Sequence, residues 1–261
     1  MPIFLIEICA IRRKENLVRM LLFRVGAFAS AAALIATCAT FTPGKAQADG
    51  TPFQVDTFSS IQIEGGGHAV ITIGEPASVT VSGSQKDIEQ LQVQVWFGTL
   101  EIEPENDDNN NKSDLVYNIT VPSLTQIELE GSVTAELDGL TGDSLEIQVE
   151  DSSTLQLTKL AISRLQVQIE NSATVTIAGT ADEQDVEIQD SATYEALDLD
   201  SRSAEIQGEG SSTSRVRVSE QLSGQLEDSA TVEYMTEAAK VSISTEDSSM
   251  LTQLPFKPLG A

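Results

Sequence analysis

Residues 145–152 read Leu145-Glu146-Ile147-Gln148-Val149-Glu150-Asp151-Ser152, and residues 165–172 read Leu165-Gln166-Val167-Gln168-Ile169-Glu170-Asn171-Ser172. Each is an alternation of apolar and polar residues that ends in an acidic residue, a turn-former and a serine. Alternation with β-branched residues on one side is the pattern of a half-buried strand. The closing phrase recurs as Glu130-Gly131-Ser132, Gln189-Asp190-Ser191, Glu209-Gly210-Ser211, Glu227-Asp228-Ser229 and Glu246-Asp247-Ser248. From Ser132 to Ser248 the serines stand 20, 20, 19, 20, 18 and 19 residues apart. A period near 20 marks a solenoid, whose units cannot bury their own apolar faces and must stack.

Aligned on the serine, Val186 with Ile188, Val241 with Ile243, and Ile127 with Leu129 fill the same apolar columns. A second strand alternates after the turn, through Leu155 and Leu157, Val175 and Ile177, and Val232 and Tyr234. Leu140, Leu160 and Leu199 supply a third apolar mark. Two or three short strands per coil predict an all-β chain, a parallel β-helix whose coils lie about 4.8 Å apart. The crossover rule for parallel strands predicts a right-handed coil. A helical repeat is excluded by the absence of a 3.6-residue period, and a leucine-rich repeat by the absence of its L-x-x-L-x-L-x-x-N phrase.

Only Gly, Asp and Asn precede the repeated serine. These are the residues that best tolerate a left-handed backbone, so the column predicts a corner with φ > 0 in every coil. The serine can then bond back to the turn or up the stack. The alternative is a row of carboxylates that binds calcium. The phrase lacks the G-G-x-G-x-D of calcium-binding arrays, and Gly or Asn interrupts the row.

Ahead of the array the pattern is less regular and predicts an irregular N-terminal β cap. Strands are expected around Glu64-Gly65-Gly66-Gly67-His68, over 78–82, 91–97, 100–103 and 115–121, with Phe97-Gly98-Thr99 as a tight turn and a polar loop from Asn106 to Asp114. At the other end, Leu254-Pro255-Phe256-Lys257-Pro258 cannot continue a ladder and should cap the array or trail off.

The chain opens with Arg12, Arg13, Lys14, Arg19 and Arg24, then an apolar run from Val25 to Ala39, then Ala46-Gln47-Ala48. These are the parts of a secretory signal peptide, with cleavage expected after Ala48 and a start at Met20 giving a conventional length. The apolar run, about 15 residues, is shorter than the ~20 that span a bilayer. A lipoprotein signal at Cys38 would want a small residue before the cysteine, where Thr37 stands. The expected organisation is a signal peptide over 1–48 and one β-helix domain over 49–261, exported to the periplasm or the cell surface.

Cleavage would remove both cysteines, Cys9 and Cys38, and with them any disulfide or thiolate site. It also takes six of the 15 Lys and Arg residues and two of the 40 Asp and Glu residues, leaving 9 against 38, a net charge of −29. That field repels nucleic acid and anionic membranes.

Catalytic signatures are missing. His68 is the only histidine, and Lys159, Arg164, Arg202, Arg215 and Arg217 are scattered. Arg215 and Arg217 share a strand face, which a solvated surface explains. There is no G-x-S-x-G, H-E-x-x-H or phosphate-binding glycine loop. Trp96 and Phe97 offer an aromatic sugar platform, against a buried role in the cap, which is the expectation. No catalytic, cofactor or metal residue is assigned. The expected partner is a surface, a glycan or an envelope protein, with no nucleic acid and no integral membrane segment after signal removal. A polysaccharide lyase or hydrolase on a β-helix is the rival reading.

Phe58-x-x-Ile61-x-Ile63-x-Gly65, Ser78-Val79-Thr80-Val81-x-Gly83, Gly98-Thr99-Leu100-x-Ile102 and Val121-Pro122-x-Leu124, followed by the turn-serine repeat, resemble the bacterial family described as putative auto-transporter adhesin, head GIN domain. The resemblance runs from about Phe53 to Leu251. It implies an exported envelope protein, adhesive in character, whose repeated turn is mostly Gly-Ser where this chain often has Asp-Ser. With Ala261 so close behind the array, a self-translocating autotransporter is not expected.

Overall fold

The computed structural model describes residues 50–105, 114–237 and 240–257. The expected signal peptide and its cleavage after Ala48, the alternative start at Met20, Cys9, Cys38, most of the polar loop from Asn106, and Pro258 lie outside the described residues.

The middle coils of the array, over 154–169, 174–188, 193–208 and 213–226, are each one long strand that begins just after a turn-serine phrase and ends just before the next. The chain enters through β1 (Thr51–Phe53), β2 (Ser60–Ile73), β3 (Ser78–Ser82), a short helix α1 (Gln85–Ile88), β4 (Leu91–Trp96), β5 (Thr99–Pro104) and β6 (Val116–Val121). The array then runs through β7 (Gln126–Val149), β8 (Thr154–Ile169), β9 (Thr174–Ile188), β10 (Thr193–Gly208), β11 (Thr213–Leu226), β12 (Thr231–Met235), β13 (Lys240–Thr245) and β14 (Met250–Gln253). From β7 onward all pairings are parallel, in a β-solenoid of about six turns.

The register is the repeat seen in three dimensions. Leu145 stands on Leu165, Ile147 on Val167 and Val149 on Ile169, all fully buried. Leu155, Val175 and Tyr194 form a second inner column, and Leu157 and Ile177 a third. Burying a Val, Leu or Ile side chain in this way contributes roughly 1.5–3 kcal/mol. The apolar core runs without a break from Phe58 to Val232.

The left-handed corner is present in every coil. Gly131, Asp151, Asn171, Asp190, Gly210, Asp228 and Asp247 have φ of 94°, 62°, 63°, 60°, 71°, 57° and 55°. The reason lies in the backbone. With the corner residue turned left-handed, its carbonyl accepts from the amide of the next coil's serine: Ser152 donates to Gly131 at 2.8 Å, Ser172 to Asp151 at 2.8 Å, Ser191 to Asn171 at 2.8 Å and Ser248 to Asp228 at 2.7 Å. The serine therefore bonds up the stack through its main chain. Inside five of the corners a small residue is buried (Ser153, Ala173, Ala192, Ser212 and Ala230), with Val133 in the first, followed by a threonine ladder of Thr134, Thr154, Thr174, Thr193, Thr213 and Thr231.

A second left-handed corner, at Gly139, Lys159 and Gly179, was not anticipated from the sequence. The Lys159 Nζ donates to the Asp138 carboxylate at 2.7 Å, and Thr158 Oγ1 donates to the same carboxylate at 2.6 Å.

At the start of the chain the order in space departs from the order in sequence. β2 runs parallel to β7 on one side and to β5 and β6 on the other, so a later segment lies beneath an earlier one. Gly65 is paired with Gly131 and has φ of 96°, which makes it the same corner one coil earlier. β1 with β3 and β3 with β6 are antiparallel, and β4 with β5 form an antiparallel hairpin across a two-residue turn.

Two side-chain expectations are corrected. Trp96 and Phe97 are not buried: they are 44% and 93% exposed at the tip of the β4–β5 hairpin. Arg217 does not lie on a solvated face: it is 6% exposed, because the C-terminal segment folds back over it. Its Nε donates to the Leu197 carbonyl at 2.8 Å, an NH1 donates to the Lys257 carbonyl at 2.7 Å, and the Phe256 ring lies 5.5 Å from its guanidinium carbon. After a last bond from the Leu254 amide to the Tyr234 carbonyl at 2.8 Å, Pro255–Lys257 packs back on the array rather than continuing the ladder.

Candidate interaction surface

The outward side chains of the first strand of each coil build a sheet face of carboxylates and carboxamides. Over 60–64 of β2 these are Ser60, Gln62 and Glu64, paired on one side with Thr99, Glu101 and β5's end, and on the other with Gln126, Glu128 and Glu130. Gln62 Nε2 donates to Glu64 at 3.1 Å and to Glu128 at 3.4 Å, while Gln94 Nε2 donates to Glu101 at 2.9 Å. Glu64 is half-buried here. Its pKa is pushed up to about 7, first by burial and then by Glu130, Glu103 and Glu128, with the Gln62 hydrogen bond opposing.

At the edge of this face stands the hairpin tip. Phe97 and Gly98 have φ of 47° and 84°, the two left-handed residues of a type I′ turn. Asn or Gly normally leads such a turn. Phe97 leads it here, with its ring projecting into solvent and meeting Trp96 edge to face at a centroid distance of 4.9 Å.

The cations flagged in the sequence are not gathered into a site. Arg164 pairs with Glu183 at 3.1 Å, Arg202 lies 3.5 Å from Glu220 and 3.9 Å from Asp182, and Arg215 is held between Glu195 and Glu233. Each reaches a carboxylate one coil above or below. An open depression beside Arg164 and Arg202 is lined also by Asp143, Ser144, Ser163 and Asp182. His68 lies in β2 just past the glycine corner, at the foot of the threonine ladder, paired with Thr134 and Val116.

The corner residues stand in single file, with Asp151, Asp190, Asp228 and Asp247 interrupted by Asn171 and Gly210, and the Asn171 amide donates to Asp151 at 3.2 Å. Among the described residues no three His, Cys, Asp or Glu side chains converge on a point where a metal ion could sit.

One buried polar constellation lies in the core and escaped the sequence reading. Gln184 replaces leucine in an inner column and is 3% exposed. The Tyr194 hydroxyl donates to Gln184 Oε1 at 2.7 Å, Gln184 Nε2 donates to Ser201 Oγ at 2.6 Å, and Ser201 Oγ donates to the Arg217 carbonyl at 2.6 Å. Burial holds the Tyr194 phenol far above its ordinary value. Every member of the network is satisfied, which makes it a structural device rather than a reactive one.

Stacked parallel coils, a continuous and mainly apolar interior and polar outer ladders define a β-solenoid that offers faces rather than a cleft. The family model for putative auto-transporter adhesin, head GIN domain, matches residues 57–238, and the chain belongs to that family. Its fold is similar to that of a putative adhesin from Bacteroides fragilis, at TM-score 0.72 and 20% identity over 78% of this chain and 95% of the other. A putative lipid binding protein from Parabacteroides distasonis is similar at TM-score 0.59 and 17% identity, with the same coverage of both chains. So is a putative adhesin from Parabacteroides merdae, at TM-score 0.59 and 14% identity, again over 78% and 95%. No curated protein sequence matches the chain. None of these relatives is described as an enzyme.

Proposed function

We propose that the protein is an exported, non-catalytic binding module of the bacterial envelope, a right-handed solenoid that holds a partner against its outer face. The observation that carries this reading is the in-register outer surface. Outward polar side chains repeat in register from coil to coil along the sheet, and each cation named above is neutralised by a neighbouring coil. Such a surface suits extended contact, whereas hydrolysis or elimination needs an acid and a base converging on one bond. The adhesin-like family supports a surface partner, and the basic, apolar, A-x-A order at the N-terminus supports export. No helix among the described residues is long and apolar enough to cross a membrane.

Fractionation of native cells with N-terminal sequencing tests this reading. The protein should be recovered from the envelope with Asp49 as its first residue, and it should release no reducing ends from acidic or neutral polysaccharides. Full-length protein in the cytoplasm would overturn export, lipid on Cys38 would make it a lipoprotein, and polysaccharide cleavage would overturn the non-catalytic role.

A further inference from the structure

Among the described residues four strands stand at sheet edges, and three of them carry protection. β1 has only three residues, one of them Pro52. β13 opens with Lys240, and β14 is followed by the segment that folds back on Arg217. β4 is different. It reads Leu91-Gln92-Val93-Gln94-Val95-Trp96 and, among the described residues, pairs along one edge only, with β5. It contains no charge, proline, glycine or bulge, the devices by which sheet edges avoid pairing.

The hairpin fixes which groups face outward. Trp96 and Thr99 flank the two-residue turn, so they form a hydrogen-bonded pair, and the bonded positions on β4 are Trp96, Gln94 and Gln92. Val95, Val93 and Leu91 therefore turn their amides and carbonyls away from β5, and their side chains are only half-buried. An added strand would complete both the ladder and the burial. Trp96 and Phe97 would form its end wall.

The charge beside this edge selects the partner. Glu101 and Glu103 on β5, Glu64 on β2, and Glu128 and Glu130 on β7 share the face next to β4, with no Lys or Arg on those stretches. A second copy would bring the same carboxylates and a net charge of the same sign, so like charges would oppose self-pairing. We infer that β4 is a docking edge for an extended, basic polypeptide segment of a partner protein, which adds as a strand and sets cationic side chains against the glutamate face. This inference rests on the binding-module reading and names the chemistry of its partner.

Trp96 is the only tryptophan in the chain, so its emission reports on this edge alone. The purified protein is titrated with a synthetic peptide of alternating lysine and valine. Controls are the glutamate–valine counterpart, the lysine–valine peptide N-methylated at alternate amides, and a neutral oligosaccharide. The expected result is a saturable blue shift with the lysine–valine peptide only, weakened at least about tenfold between about 0.05 and about 0.5 M NaCl. Val93→Pro removes an outward amide and no ladder bond, and should abolish the shift. Gln94→Lys, an exposed change that leaves the backbone intact, should weaken binding at least about tenfold with the melting temperature unchanged. No shift with any peptide, equal shifts with both charge types, a shift with the oligosaccharide alone, or dimerisation without peptide would each overturn the inference. Export is read separately, from the Asp49 terminus, so failure here and failure of the envelope reading are distinguishable.

Discussion

The amide of Ser172 donates to the carbonyl of Asp151, 2.8 Å away in the preceding coil, and the left-handed φ of 62° at Asp151 is what aims that carbonyl along the stack. The same relationship links Ser211 to Asp190 and Ser229 to Gly210. The corner is therefore part of the ladder, and the narrow choice of Gly, Asp or Asn follows from backbone geometry alone. An exposed carboxylate there needs no metal to coexist with its neighbours: like charges about 4.8 Å apart in water repel by only about 1 kcal/mol.

Substitution at Asp190 separates these roles. Asp190→Gly should be neutral or slightly stabilising, because glycine adopts φ near 60° without steric cost. Asp190→Val should cost about 1–2 kcal/mol, since a β-branched side chain is strained there. Urea unfolding midpoints check both. Equal effects would mean that the corner conformation is not what selects the residue.

Gln184→Leu restores the apolar column but leaves the Tyr194 hydroxyl buried without its acceptor. The single change should destabilise by about 1–3 kcal/mol, the cost of one unsatisfied buried group. Adding Tyr194→Phe should recover most of that loss, and a double-mutant cycle by chemical denaturation should show the coupling. Additive penalties would mean that the two residues do not act as a pair.

Glu64 gives the fold a pH dependence of defined sign. Its pKa is raised from the ordinary 4.5 to about 7 in the folded state, by burial and by the surrounding glutamates. Between those values the native state keeps a proton that the unfolded chain has lost. Stability should therefore fall as pH rises through about 4.5 to 7, and the penalty is fully present above that window. Glu64→Gln should flatten this part of the profile and raise the melting temperature at pH 8 more than at pH 5. A mutant profile parallel to the wild type would show that Glu64 titrates normally.

The solenoid was legible because period, alternation and corner chemistry all repeat, and each coil restates the same constraint. What escaped the sequence depends on single residues or distant contacts. Lys159 occupies a left-handed corner that Gly139 and Gly179 take in adjacent coils, but one lysine between two glycines shows no column. Gln184 shares the inward parity of Val186 and Ile188, but a glutamine there shows no apolar mark, and only its bonds to Tyr194 and Ser201 explain how it sits inside the core. Arg217 looks solvated because residues 40 positions later cover it. Trp96 and Phe97 were expected inside on hydrophobicity, yet a two-residue hairpin turn leaves no interior at its tip. The stacking of β5 and β6 beneath β2 rests on pairing between segments that carry no common repeat.

Amide hydrogen exchange in metal-free buffer with EDTA tests the self-sufficient stack most directly. Ser152, Ser172, Ser191, Ser211, Ser229 and Ser248 should exchange slowly, at rates set by global unfolding, because each amide bonds the coil before it. The amides of Asp151, Asn171, Asp190 and Asp228, one residue earlier in each corner, should exchange fast. Slow serines beside fast corner residues without metal would match a scaffold held by its own ladder. Uniformly fast corners that become protected only when calcium is added would contradict it.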